Sequence, residues 1–271
     1  MKKVIILLLS SLSFFQASAQ KLPTTQQVSL RAPGNVKIDG KAEEWGSKFQ
    51  AYNTATDISF TMANDDTKLY LVFQATERFL INKIVNGGLK LSVQKNGSKN
   101  DTGAPSVQFP YFEKGRRINF ATPRLDDVPK ELLQHAVDSV MQAYNTKLKT
   151  NVKWIYTKGI AGVDTVLSVY NDKGIAVANA FNNERVYTCE IAIDLKNFGL
   201  SKSDPAKFSY RITLNGGPNK YAIGISFGNP TNDDGTALPQ AKAEALTKEM
   251  NHLVEVKGAT TDFWGEYTLA K

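Results

Sequence analysis

The 271-residue chain contains one cysteine and two histidines. A single cysteine, Cys189, excludes an internal disulfide, and the apolar residues around it in Val186–Leu195 predict a buried, unreactive thiol. His135 and His252 lie far apart in the sequence, and neither has another His or Cys at ligand spacing. This pattern argues against a zinc site.

Motifs that mark enzymes are also missing from the sequence. It contains no Gly-x-Ser-x-Gly, no phosphate-binding glycine loop and no His-Glu-x-x-His. Acidic pairs such as Glu190 and Asp194 occur, but the sequence singles out no pair for glycoside hydrolysis. The chain is therefore predicted not to be an enzyme, with an uncharacterised hydrolase as the less favoured alternative.

Basic residues are in slight excess and are spread along the chain, which has a formal net charge of +7. The densest group is Lys114, Arg116 and Arg117, which is too sparse for a nucleic-acid-binding face. The longest apolar stretch, Val4–Phe15, is shorter than the roughly 20 residues that cross a bilayer. No nucleic-acid partner and no membrane span are expected.

The first 19 residues have the three parts of a secretory signal peptide. Lys2 and Lys3 are followed by the apolar stretch and by the small-x-small cleavage site Ala17-Ser18-Ala19. No cysteine follows that site, which argues against a lipid anchor. The sequence predicts export of a mature chain starting near Gln20, to the periplasm or the extracellular medium.

Short alternating runs separated by turns dominate the mature chain. Ile58–Met62 and Lys68–Phe73 flank the turn residues 64–67 and predict a hairpin. Further strands are predicted at Leu89–Val93, Val152–Tyr156, Thr165–Tyr170, Ile175–Ala180, Val186–Ile193, Phe208–Leu214, Tyr221–Phe227 and Phe263–Leu269. Each such sheet has one apolar face to bury, so the expected fold is a mostly β, antiparallel two-sheet β-sandwich.

Two helical insertions interrupt the strands. Near 126–147 the apolar positions Val128, Leu132, Ala136, Val140 and Tyr144 step by four, joined by Leu133, Val137 and Met141, as on an amphipathic helix. A more exposed helix is predicted near 238–251, and a shorter helical turn at Arg78–Val85. No linker or repeat is evident, so residues 20–271 are expected to form one domain.

Four segments resemble family-nine carbohydrate-binding modules and their DOMON-like relatives. They are VKIDGKAEEW over Val36–Trp45, MANDDTKLYL over Met62–Leu71, CEIAI with a later Phe-Gly over Cys189–Gly199, and Phe263-Trp264-Gly265. The resemblance implies a β-sandwich that binds glycan without catalysis. In its first motif we expect Glu44 to accept backbone hydrogen bonds and Trp45 to enter the sandwich core.

Glycan binding would use aromatic rings that stack on sugars. Trp154 shares a strand face with Val152 and Tyr156, and the pattern leaves open whether this face is core, the more common case, or a groove. Tyr111 and Phe112, next to Pro110 and a basic turn, are further candidates. The ligand-binding candidates are therefore Trp154, Tyr156, Tyr111 and Phe112.

Relatives of this kind often hold structural calcium, a cation that needs six to eight oxygen ligands. Asp65 and Asp66 in one turn, and Asp233 and Asp234 in another, are the candidate ligands, with ordinary turn formation as the alternative. No other cofactor is expected.

The alternative function is an envelope scaffold or protein-interaction domain without a small-molecule ligand. Its helices would then dock an envelope protein. Exposure of Trp154, Tyr111 and Phe112 would favour glycan, whereas their burial together with an apolar patch on the helices would favour a protein partner.

Overall fold

The computed structural model describes residues 21–46, 49–113, 117–120, 128–203, 207–216 and 235–271. The predicted signal peptide, the predicted strand Tyr221–Phe227 and the candidate ligands Asp233 and Asp234 lie outside these ranges. Within them, no helix is both long and apolar enough to cross a membrane.

Two antiparallel sheets form the body of the protein. The five-stranded sheet contains, in spatial order, β1 (Ala51–Asn53), β2 (Ile58–Asn64), β3 (Lys68–Ala75), β9 (Tyr187–Asp194) and β8 (Ile175–Phe181). The six-stranded sheet contains β11 (Thr261–Tyr267), β10 (Phe208–Leu214), β4 (Leu89–Gln94), β5 (Ser106–Tyr111), β6 (Trp154–Lys158) and β7 (Val166–Ser168). The predicted antiparallel β-sandwich is confirmed, although β1 and β5 were not predicted.

The hydrophobic core lies between the two sheets. Alternate residues of each strand point inward, and those of both sheets belong to one buried cluster. Across the interface, the Phe60 ring of β2 lies 5.2 Å from the Phe263 ring of β11. Cys189 points into this core and is fully buried, and burial raises the pKa of its thiol well above the ordinary value. The predicted burial of the thiol is confirmed, and the lack of reactivity expected from it stays a prediction.

In the described ranges, three α-helices lie outside the sheets: α1 (Arg78–Gly87), α2 (Lys130–Asn151) and α3 (Gln240–Gly258). The two longer helices follow β5 and β10, where the sequence predicts insertions. Helix α1 begins where the Glu77 carboxylate accepts hydrogen bonds from the amides of Phe79 and Leu80, a side-chain cap of the usual kind. Both α2 and α3 continue beyond their predicted ends.

Helix α2 packs from Ala136 onwards, whereas residues 130–135 are exposed. Its buried residues are Val137, Met141 and Leu148, and the helix contacts β8. Leu132 and Leu133, which belong to the predicted apolar stripe, are instead 55% and 37% exposed. The stripe therefore continues one turn beyond the surface that the described residues offer it.

The Asp-Gly turn of the first motif lies on the outer face of the five-stranded sheet. Gly40 has φ +85°, and a Cβ there would come within 2.6 Å of the Asn179 carbonyl carbon, so this contact with β8 requires glycine. Glu190 Oε2 accepts hydrogen bonds from the amides of Asp39 and Gly40, at 3.0 and 2.8 Å. The prediction that Glu44 accepts these backbone hydrogen bonds is wrong. Its Oε2 is buried and has no hydrogen-bond partner among the described residues.

Trp45 does not enter the sandwich core, contrary to expectation. It lies half-buried in a short 3-10 helix, Glu43–Trp45, where its indole Nε1 donates to Glu190 Oε1 at 2.8 Å. Its ring centroid is 5.7 Å from that of Tyr70. Both Tyr70 and Glu190 alternate with core residues of their strands, so Trp45 covers the outside of this sheet.

Glu190 is fully buried beneath this segment. Burial raises the pKa of its carboxyl group, although the hydrogen bonds from Trp45 and from the amides of Gly40 and Asp39 favour the ionised form. A carboxylate with three N–H donors directed at it holds a chain segment in place. Its role is therefore structural, which removes Glu190 from the candidates for glycoside hydrolysis.

Candidate functional site

The outer face of the six-stranded sheet carries aromatic and charged side chains in neighbouring rows. Because inward and outward positions alternate, strand pairing shows which outward residues are neighbours. One row runs from Tyr156 through Gln108, Lys90 and Thr213 to Asp262. Beside it, the pairing of β10 with β11 places Arg211 opposite Trp264. From here on, 'the outer face' means this side of the six-stranded sheet: the two rows and the aromatic residues Tyr111, Trp154 and Tyr156 at one end of them.

The aromatic end is formed by β5 and β6. Trp154 is 38% exposed and lies opposite Tyr111 in the pairing of the two strands. The rings of Tyr111 and Tyr156 are 5.2 Å apart and inclined by 37°, which is within the range of stabilising aromatic pairs. On the far side, Val166 of β7 lies opposite Tyr156 and is also exposed. The three rings thus form one apolar platform, Tyr111, Trp154 and Tyr156.

A β-bulge places Tyr111 on this platform. Gln108 pairs with Tyr156 and Tyr111 pairs with Trp154, so β5 has one more residue than β6 between these pairs. Without the extra residue, alternation would turn Tyr111 inward, towards the side that the buried Phe109 occupies. Pro110 lies within the bulge, one of the few places where a sheet accepts proline.

The charged centre of the outer face is built around Arg211. Its guanidinium makes two parallel hydrogen bonds to Asp262, Nε to Oδ1 at 3.0 Å and Nη2 to Oδ2 at 2.9 Å. Its Nη1 donates to Asp101 Oδ2 at 2.9 Å, and Lys90 lies 3.5 Å from the same oxygen. The guanidinium carbon also lies 5.7 Å from the Trp264 ring centroid. Two cations and two carboxylates therefore balance one another.

The pKa values of Asp101 and Arg211 are shifted in the directions that keep both groups ionised. Burial alone would raise the pKa of Asp101, but its hydrogen bond and charge interaction with Arg211, helped by Lys90, lower it. The hydrogen bonds that Arg211 donates to Asp262 and Asp101 raise its pKa, although burial works against this. An acid whose pKa is lowered stays deprotonated at neutral pH and is a poor general acid. The arrangement is suited to hydrogen bonding with polar ligand groups.

The structure brings together three of the four predicted aromatic residues. Trp154, Tyr156 and Tyr111 share the outer face, so the interpretation of the Trp154 face as core is wrong: Ile155 is the core residue. Phe112 does not join them, because it is partly buried against the hydrophobic core. Trp264, from the last of the resembling motifs, is half-buried beside Arg211 on the outer face.

Sequence analysis missed the charged centre. Alternation in β10 does place Arg211 opposite in direction to the core residues Tyr210 and Ile212, so an outward arginine was predictable. Its partners Asp101 and Asp262 are 110 and 51 residues away in sequence. Only strand order and register bring these three side chains together.

The candidate calcium ligands in the first turn have other partners. Asp65 Oδ1 accepts hydrogen bonds from the amides of Thr67 and Lys68, and its Oδ2 accepts one from the Tyr70 hydroxyl at 2.6 Å. Asp66 forms ion pairs with Arg31 and Lys202, at 2.9 and 3.1 Å. Across the described ranges no group of three or more His, Cys, Asp or Glu side chains is placed to hold a metal ion. Calcium at this turn remains a prediction.

No protein-family model matches the chain, and no curated protein matches it. Among solved structures, it is similar to a carbohydrate-binding module of family 9 (CBM9) from Caldicellulosiruptor kristjanssonii in complex with glucose. The sequence identity is 9% and the TM-score 0.35, over 90% of this chain and 95% of that one. A complex of a CBM9 from the same organism with cellotriose gives 10% identity and a TM-score of 0.33, over 72% and 76%. Both belong to the family that the sequence motifs resemble.

Proposed function

We propose that the protein is an exported, non-catalytic carbohydrate-binding module whose ligand lies on the outer face of the six-stranded sheet. The observation that carries the proposal is the exposed Trp154 beside the Tyr111–Tyr156 ring pair. The apolar faces of pyranose rings stack on such aromatic surfaces, which are also rigid and lose little conformational entropy on binding. The exposure of Trp154 beside two half-buried tyrosines is the feature that favours glycan binding over a purely structural role.

The charged centre supplies the polar half of the proposed site. Sugar hydroxyl groups both donate and accept hydrogen bonds, and Arg211, Asp101 and Lys90 offer donors and acceptors close to the platform. Four steps between strands separate β6 from β11, about 19 Å at roughly 4.8 Å for each step. This width suits a short oligosaccharide that lies across the strands, with its rings on the platform and its hydroxyls on the charges.

The pairing of the carboxylates supports binding rather than hydrolysis. Glycoside hydrolysis needs one protonated carboxyl group and one ionised carboxylate on either side of the bond that is cleaved. Asp101 and Asp262 are both bound to the same guanidinium, and the lowered pKa of Asp101 keeps its proton off. We therefore propose that the outer face holds glycan without cleaving it.

Titration with a broad set of oligosaccharides tests the proposal. The native protein should bind at least one of them saturably, and Trp154→Ala should weaken that binding about tenfold, the equivalent of 1.4 kcal/mol. Trp45→Phe is the matched control, because it changes a tryptophan on the opposite sheet. Absence of saturable binding across the set, or equal weakening by both variants, would contradict the proposal.

Export has a separate test. If residues 1–19 are cleaved off during export, mass spectrometry of the protein recovered from outside the cytoplasm should show Gln20 as the first residue. Recovery of the chain only from the cytoplasm, still beginning at Met1, would contradict export and leave the binding proposal intact.

One observation favours the alternative, a protein-interaction domain. Leu132 and Leu133 on α2 are exposed, and apolar patches of this kind often mark protein interfaces. If an envelope protein docks there, Leu132→Glu should abolish its capture while glycan binding is unchanged. The aromatic platform combines three rings with a neighbouring charged centre, whereas the α2 patch consists of two exposed leucines. Glycan binding is therefore the function we favour.

A further inference from the structure

Apart from the outer face, the structure contains a cavity beside helices α1 and α3. It is enclosed by the turn 54–57 between β1 and β2, by the first half of α1, and by the last residues of α3. Its volume is about 370 Å³, near the lower end of the range for small-molecule sites. A cavity of this size accommodates a small molecule.

Lys83 projects from the packed face of α1 into this cavity. Only 4% of the residue is exposed, and its ammonium donates one hydrogen bond, to Thr261 Oγ1 at 3.0 Å. No carboxylate oxygen of the described residues lies within 4.0 Å of Lys83 Nζ. An ammonium has three N–H donors, and buried lysines are normally paired with an acid. Lys83 therefore has a charge and donors that the described residues leave without an anionic partner.

A second cation reaches the same space from α3. Lys257 lines the cavity, and no ion pair to it occurs among the described residues. Burial, together with the positive charge of Lys257, lowers the pKa of Lys83 to about 8. With a pKa of about 8, Lys83 is still largely protonated at neutral pH, and Lys257 lines the same small cavity.

Neither acid that lines the cavity forms an ion pair with Lys83 or Lys257 within 4.0 Å. The Glu77 carboxylate caps α1 by accepting the amides of Phe79 and Leu80. The Asp57 carboxylate accepts a hydrogen bond from the Tyr52 hydroxyl. Both acids are thus used for local structure at the rim, while the space between the two ammonium groups and the Thr261 hydroxyl remains open to a ligand.

We propose that this cavity binds a small oxyanion, a carboxylate or phosphate group, between Lys83 and Lys257. Lys83 would supply its remaining N–H donors, Lys257 a second charge, and Thr261 a hydroxyl donor, since its oxygen already accepts from Lys83. Paired cations with a hydroxyl group are a chemically suitable set for such an anion. A buried cation without a counter-ion costs stability, and a bound anion would offset that cost.

The test measures the pKa of Lys83 by NMR of the full-length protein with isotopically methylated lysines. Sodium phosphate and sodium galacturonate are titrated separately against sodium chloride at constant ionic strength. A bound anion should raise the pKa of Lys83 by about one unit or more and the melting temperature by a few degrees, both saturably. Response to only one of the two salts supports the proposal and identifies the chemical class.

Three variants make the result specific. Lys83→Met and Lys257→Met should each remove the saturable rise in melting temperature, whereas Lys153→Met, which changes a lysine beside Tyr170, should retain it. Should Lys83→Met fail to fold, the loss of binding in Lys257→Met remains decisive. A native protein that responds to neither salt beyond chloride, or a response that persists without Lys83, would overturn the proposal. We expect glycan binding to be unaffected by Lys83→Met and Lys257→Met, because neither lysine belongs to the outer face, so the two proposals fail separately.

The pH dependence of Lys83→Met provides a further readout. Because the folded pKa of Lys83 lies below the ordinary value of 10.5, the contribution of this lysine to stability is greatest above that value and is lost as the pH falls through about 8. The methionine variant should therefore melt higher than the native protein by roughly 3–6 °C at pH 7 in chloride, and by less at pH 10. Saturating phosphate or galacturonate should reduce that difference.

Discussion

The outer faces of the two sheets are built for different purposes. On the five-stranded sheet the segment 39–46 covers the strands, held by Glu190 and by the contact between Trp45 and Tyr70. On the six-stranded sheet Trp154 is exposed and the Tyr111–Tyr156 pair is half-buried, beside balanced charges. A tryptophan on one face thus closes the fold, while a tryptophan on the other belongs to the proposed binding surface.

The comparison also separates family likeness from function. The residues that resemble family-nine modules most closely, in Val36–Trp45 and Cys189–Ile193, meet on the covered face and hold one another in place. The aromatic platform lies on strands β5 and β6, outside those motifs. A motif of this kind therefore predicts the architecture, and the binding surface has to be read from the other sheet.

The largest expected effect is on the covered face. Glu190→Ala removes the acceptor of the Asp39 and Gly40 amides and of the Trp45 indole, leaving three donors unsatisfied. Each such group costs about 1–3 kcal/mol, partly offset by loss of a buried charge, so we expect a loss of about 3 kcal/mol in the free energy of unfolding. Denaturant titration measures this loss. A change below about 1 kcal/mol would contradict the proposed role of Glu190 in holding segment 39–46.

Glu190→Gln sharpens this result. Three N–H donors point at two oxygens, so the amide NH₂ group of glutamine must face at least one of them. The variant should therefore lose stability as well, by about 1–2 kcal/mol, although it keeps the volume of the side chain. Full retention of stability would show that charge and acceptor count at this position do not matter.

The charged centre should show an intermediate effect on both stability and binding. Arg211→Met leaves Asp101 and Asp262 without their shared partner, but these side chains are only about three-quarters buried. We expect a loss of about 1–2 kcal/mol in stability and a further weakening of glycan binding. Denaturant titration and calorimetric titration with the best oligosaccharide measure the two effects, and unchanged affinity would remove the charged centre from the site.

The covered tryptophan gives a smaller effect on stability alone. Trp45→Phe keeps a ring against Tyr70 but removes the indole N–H that Glu190 accepts, at a cost of about 1 kcal/mol. Glycan affinity should be unchanged, since Trp45 and the platform lie on opposite sheets. A loss of affinity in this variant would place the ligand on the wrong face in our proposal.

Sequence patterns predicted the parts of this fold that depend on local periodicity. Alternation of apolar and polar residues predicted strands β2 and β3. Apolar residues at steps of four predicted the packed part of α2, from Ala136 onwards. Strand β5 was missed because Pro110 interrupts its pattern, and the bulge there also determines where Tyr111 points. Phe112 was placed on the surface since nothing near it in sequence reveals the core that it packs against.

Long-range contacts set the remaining features, including the candidate site. Trp45 was expected between the sheets because a tryptophan after a tight turn commonly fills a core. The partner that draws it outside, Glu190, is 145 residues away in sequence. The same reason hid the charged centre, since strand order and register alone bring Asp101 and Asp262 to Arg211.

The smallest expected effect on stability is at Trp154, and it completes the contrast between the two faces. The ring is 38% exposed and is the donor of no hydrogen bond among the described residues, so Trp154→Ala should change the free energy of unfolding by about 0.5 kcal/mol or less. Denaturant titration beside the glycan titration shows whether binding and stability separate. If stability falls as much as in Trp45→Phe, Trp154 contributes to packing and the platform loses its central residue; if only affinity falls, one tryptophan serves the fold and the other the ligand.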